Sequence, residues 1–92
     1  MASYEIEISR TAEKQLKKLS VENQKRVLRS IVNLAEEPHP HGSRTLSGYD
    51  DVFRIRVGNY RILYSISGKK LIVIILKIGH RKDIYEFRGQ YT

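Results

Sequence analysis

Two runs rich in β-branched and aromatic residues, VFRIRV (Val52–Val57) and YRILYSIS (Tyr60–Ser67), are separated only by Gly58 and Asn59. Two residues can reverse an extended chain only in a primed turn, and glycine and asparagine tolerate the positive φ angles such turns need. The turn length also fixes the register. Val57 must face Tyr60, Arg56 must face Arg61, Ile55 must face Ile62, and Arg54 must face Leu63. Because side chains alternate along a strand, Arg54, Arg56 and Arg61 share one face, while Phe53, Ile55, Val57, Tyr60, Ile62 and Tyr64 share the other. The second set is apolar throughout and has to meet a core.

The rest of the chain supplies that core. Residues 4–8 alternate as YEIEI, which predicts a short strand with Tyr4, Ile6 and Ile8 turned inward, at the edge of a sheet or starting it. Ser9 is placed to cap a helix reaching about Leu19, with Ala12, Leu16 and Leu19 on its apolar side. Ser20 is a second cap, and Val27, Leu28, Ile31, Leu34 and Ala35 form the next apolar stripe before Pro38 and Pro40 end the helix. The stretch EEPHPHGSR reads as a loop, and a third strand is expected over residues 70–78 after the turn signal Ser67-Gly68. The order is strand, helical hairpin, then a three- to four-stranded antiparallel meander. That order predicts an α+β fold with the helices on one face of the sheet. Residues 71–76 are apolar on both sides, so the second face needs cover too, from a C-terminal segment carrying Tyr85, Phe87 and Tyr91 or from a partner.

Ninety-two residues suffice for one domain spanning 1–92. No cysteine is present, which removes disulfides and thiolate chemistry. The opening MASYEIEISR lacks the apolar core of a signal peptide, and the apolar run at 71–76 is too short to span a bilayer. A cytoplasmic protein with no membrane role is the expectation. The net charge of +7 is unevenly spread: residues 1–40 hold seven Lys/Arg against six Asp/Glu, and residues 41–92 hold ten against four. A basic excess concentrated in this way attracts polyanions, chiefly nucleic acid or an acidic protein.

Like charges directly opposite each other across a strand pair are destabilising, so the Arg56–Arg61 pairing points to an anion held between them. An alternative stays open from the hairpin alone. Long arginines can also splay into water and cover apolar surface with their stems.

The block LSGYDDVFRIRVGNYRILYSI and the closing IGHRKDIYEF, in this order of elements, are similar to RelE-type toxins of the RelE/ParE superfamily over nearly the whole chain. That resemblance implies a RelE-like fold and a ribosome-dependent endoribonuclease that cuts mRNA without a metal or other cofactor. It also implies a cognate antitoxin as partner, laid over the basic sheet face with acidic and apolar groups. The family's active-site pattern falls here on Arg54 and Arg56, then Arg61, then Arg81 and Tyr85. Arg44, Lys77, Lys82 and Arg88 are expected to extend the RNA-binding surface. A ParE-like relative would instead inhibit DNA gyrase by binding, and a non-catalytic RNA-binding module is the third reading.

Relatives often carry lysine on the first of these strands, one of them proposed as the base that takes the ribose 2′-hydroxyl proton. Both positions are arginine here, and a guanidinium, which stays protonated far above neutral pH, is a poor base. His80 adjoins Arg81 and is the one group in this motif that titrates near neutrality, so it is the spare candidate for proton transfer, unless it is simply an exposed loop histidine. His39 and His41 lie in the proline loop without a third ligand, so no metal site is expected.

Overall fold

The chain was analysed as a computed structural model in which residues 3–45 and 51–80 are described. Strand β1 (Glu5–Ile8) leads into helices α1 (Arg10–Lys17) and α2 (Val21–Asn33), followed by strands β2 (Arg44–Thr45), β3 (Val52–Val57), β4 (Tyr60–Ser67) and β5 (Ile72–His80). The sheet order is β1-β5-β4-β3-β2. All neighbouring pairs are antiparallel except β1 with β5, which run parallel from Glu5↔Ile72 to Ile8↔Ile75.

Both serine caps form. The Ser9 hydroxyl accepts from the Ala12 N–H at 3.1 Å, and Ser20 accepts from Asn23 at 3.2 Å, so each helix begins where an orphan backbone donor finds a side-chain oxygen. The helices bury Ala12, Val27, Ile31 and Leu34 against Ile55, Ile62, Tyr64, Val73, Ile75 and Ile78 of the sheet. The hairpin register matches the one fixed by the turn, residue for residue from Val57↔Tyr60 to Arg54↔Leu63. Of the two turn residues only Gly58 takes a positive φ, at 60°, as in the primed turn that places glycine first. The Arg26 guanidinium lies over it, 3.1 Å from where a β-carbon would stand.

Four details depart from the sequence expectations. A two-residue strand, β2, emerges from the segment read as loop and pairs Arg44 with Arg54 and Thr45 with Phe53. Strand β5 starts at Ile72 because Leu71 adopts the left-handed conformation, with φ 56°, which no strand continues through. Ile8 and Leu28, expected to face inward, are exposed. Ile8 ends an edge strand, and Leu28 lies on the flank of α2 away from the sheet, where it lines a shallow cleft with Lys25, Arg29 and Val32. None of the described helices is long and apolar enough to cross a membrane.

The proline loop is tied to the sheet by Tyr64, whose hydroxyl donates to the Pro38 carbonyl at 2.9 Å. His39 packs edge-on against Phe53 at 4.9 Å, and Phe53 leans on Tyr64 at 5.8 Å. Burial raises the Tyr64 phenol above its ordinary 10.0, with a hydrogen bond to Ser43 pulling the other way. The contribution of Tyr64 to stability is therefore complete below pH ~10 and is lost as pH climbs through the folded-state value, because the unfolded chain ionises first. Tyr64→Phe should cost about 1 kcal/mol at neutral pH through the lost hydrogen bond. Urea unfolding of both proteins is expected to show that gap narrowing between about pH 8 and about pH 11. A gap that stays constant across that range would mean the phenol does not sense the fold.

Candidate nucleic-acid interface

The face of the sheet turned away from the helices carries the cations. Cross-strand register sets them in rows: Arg44, Arg54, Leu63 and Lys77 lie side by side across β2, β3, β4 and β5, and Arg56, Arg61 and Gly79 form the next row. Five basic side chains therefore share one face, and β3, β4 and β5 contain no Asp or Glu. Arg44 and Arg56 are exposed, and Arg54 is half-buried. Arg61 and Lys77 are only 7% exposed, so the floor of the patch is charge held largely out of water. Val52 and Leu63 are fully buried on the same side and give the floor an apolar surround.

Lys77 reaches this face because β5 carries an extra residue. Leu63 pairs with Lys77, but Tyr64 pairs with Ile75, so Leu76 has no partner on β4. Such a bulge reverses the alternation of the strand that follows. Before it, Val73 and Ile75 point to the core; after it, Ile78 does, and Lys77 turns to the arginines. Helix α1 secures the arrangement. Ser9 donates its hydroxyl to the Leu76 carbonyl at 3.0 Å, and the Gln15 side-chain oxygen accepts from the Ile78 N–H at 2.7 Å. These two contacts occupy the β5 edge just beyond the last pairing with β1.

The same reversal moves His80 away from the cluster. His80 pairs with Tyr60 on the helix side of the sheet, their rings edge-on with centroids 6.0 Å apart, whereas Arg61 pairs with Gly79 on the other side. His80 is expected as a spare proton-transfer group because it adjoins Arg81 in sequence; the register places it on the face opposite Arg54, Arg56 and Arg61. Arg81, Lys82, Tyr85 and Arg88, together with the proposed apolar cover of Phe87 and Tyr91, lie outside the described residues.

Sequence reasoning passed over one feature near this face. Ser30 and Asn33 of α2, Pro40, His41 and Gly42 of the proline loop, and Ile55 and Arg56 of β3 enclose a cleft of about 340 Å³. Ser30 and Asn33 stand three apart on α2, on a polar face that flanks the apolar stripe of Val27, Ile31 and Leu34. Helical spacing of polar residues was the available signal.

As chemistry, the face offers a dense set of guanidinium forks over an apolar floor, suited to gripping phosphate oxygens. A profile of the ParE toxin of type II toxin–antitoxin systems matches residues 6–85. RelE1 of Methanocaldococcus jannaschii is 33% identical over 86 residues, covering 90% of this chain and 96% of that protein. Toxin RelG of Mycobacterium tuberculosis is 33% identical over 87 residues, covering 89% and 95%. Among solved structures, the archaeal RelE–RelB complex of Pyrococcus horikoshii superposes with a TM-score of 0.78 at 30% identity, covering 88% of this chain and 98% of that one.

Proposed function

This chain belongs to the RelE/ParE family of toxins of type II toxin–antitoxin systems, and from that premise we propose that it is an mRNA endoribonuclease that acts on the translating ribosome. The observation that carries the reading is the five-cation sheet face, where Arg56 and Arg61 stand directly opposite each other with no acidic residue on the three strands. Repulsion between such neighbours is relieved when a phosphate lies between them. In the proposed reaction the ribose 2′-hydroxyl loses its proton, its oxygen attacks the adjacent phosphorus, and the bond to the 5′-oxygen breaks as that oxygen is protonated. The products are a 2′,3′-cyclic phosphate and a 5′-hydroxyl.

Arg56 and Arg61 hold the non-bridging oxygens and neutralise the charge that builds on them. Arg54, Lys77 and Arg44 continue the grip along the strand of RNA. Such preorganised donors act most strongly where water is excluded, as at Arg61 and Lys77. The arginines do not supply the base. With His80 on the opposite face, removal of the proton falls to Tyr85 or to the ribosome, and Arg81, which the family pattern also assigns to the site, adds positive charge for the phosphate or the leaving oxygen.

The protein is proposed to be silenced by a cognate antitoxin, as in the RelE–RelB complex of P. horikoshii and the RelBE2 toxin–antitoxin complex of M. tuberculosis. A segment with acidic groups suits the cationic face through the exposed Arg44 and Arg56 and the half-buried Arg54. The match to the ParE toxin profile favours gyrase inhibition as the second reading.

One experiment separates the two. Purified protein is added to a translating extract and mRNA ends are mapped by primer extension, with DNA supercoiling by gyrase assayed in parallel. Discrete cuts within codons, absent for Arg61→Ala, support the nuclease. Intact mRNA with blocked supercoiling sinks it.

A further inference from the structure

Resting on the reading of the arginine face as an RNA clamp, we infer that the cleft between Ser30, Asn33, His41 and Arg56 is a nucleobase pocket that reads the nucleotide next to the gripped phosphate. Its size, about 340 Å³, falls in the range of small-ligand sites. The lining has the chemistry of base recognition. Asn33 presents a donor and an acceptor on one planar amide, the pairing that lets asparagine bond a base edge twice. Ser30 adds a hydroxyl that serves either way. Pro40 and Ile55 give apolar surface for the faces of a base, and the His41 ring can stack on it.

Position ties the cleft to the clamp. Arg56 belongs to both: it lines the cleft, and it stands across from Arg61 in the ladder. The cleft lies on the helix side of β3, beside Ile55 and α2, so a strand gripped on the arginine face reaches it by rounding the outer edge of β3 at Arg56. Strand β2 reaches only to Arg44, so among the described residues no strand covers the outer edge of β3 where Ile55 and Arg56 form the cleft wall. Gly42, with φ 93°, turns the chain away at that point. The Arg26 guanidinium at the hairpin tip, one turn before Ser30 on α2, adds a further cation on the approach. An RNA strand rather than a peptide is favoured because the groups around the mouth are basic and those inside are neutral and two-way in hydrogen bonding.

The test maps cut sites in the translating extract for wild type, Asn33→Ala and His41→Ala, and scores base frequency at each position flanking the cut. Both residues are exposed, so the variants should fold, and thermal unfolding checks this. The expected result is a base preference at one fixed flanking position in the wild type that falls about tenfold in Asn33→Ala and also weakens in His41→Ala. Cuts whose flanking preference is identical in all three proteins would overturn the pocket and leave the nuclease standing. An absence of cuts in the wild type would remove the nuclease reading and the pocket together. Variants that cut normally but fail to be neutralised by an antitoxin would reassign the cleft to that partner.

Discussion

Arg56→Ala is expected to lower the rate of mRNA cleavage by about two to three orders of magnitude while leaving the folded protein as stable as before, or more so. The two effects have different origins. The rate falls because one of the two opposed guanidiniums is gone when charge builds on phosphorus. Stability holds because Arg56 is exposed and its removal relieves a like-charge pair, a gain of up to ~1 kcal/mol. Single-turnover cleavage in the extract and urea unfolding measure the two quantities on the same preparation. Arg56→Lys keeps the charge but not the fork, and should recover only part of the rate. A variant that unfolds early yet cuts at the wild-type rate would show that Arg56 serves the fold instead.

Replacing Gln15 tests whether the face is assembled from behind. Its side-chain oxygen is the partner that accepts from the Ile78 N–H at 2.7 Å, beyond the reach of β1. Gln15→Leu leaves that part-buried donor without an acceptor, at a cost of about 1–3 kcal/mol. The loss is expected to extend to activity, since Ile78 immediately follows the lysine that the bulge turns toward the arginines. Gln15→Glu keeps an acceptor in place and should restore both. Amide hydrogen exchange at Ile78 reports the contact directly: fast in Leu, slow in Glu. Equal protection in all three proteins would remove Gln15 from any role in holding β5.

The hairpin was legible to the last pair because a two-residue turn admits one register, and its two faces followed from alternation. The helix starts were legible because serine side chains cap them. What escaped were features decided by contacts distant in sequence. The bulge at Leu76 depends on Ser9 and Gln15, more than sixty residues away along the chain. Without it, uniform alternation from Ile75 would put Lys77 in the core and His80 on the arginine face; the role expected of His80 rested on its adjacency to Arg81 in sequence, which says nothing of the face. The parallel pairing of β1 was hidden for the same reason, since alternation within YEIEI states that a strand exists but not which neighbour it takes. Strand β2 was hidden by composition, being two residues after a proline-rich turn. Ile8 and Leu28 show the limit of periodicity: it marks apolar positions, and what covers them depends on the rest of the molecule.

The pairing of β1 with β5 sets when the cationic face can form. Synthesis proceeds from the N-terminus, so Glu5–Ile8 is made well before Ile72–His80, its one sheet neighbour among the described residues. The strand that carries Lys77 and closes the arginine face is absent until then. Contacts this far apart in sequence also form slowly once both ends are available. The cationic face is therefore complete only when segments more than sixty residues apart have met, which makes its assembly one of the last long-range steps of folding.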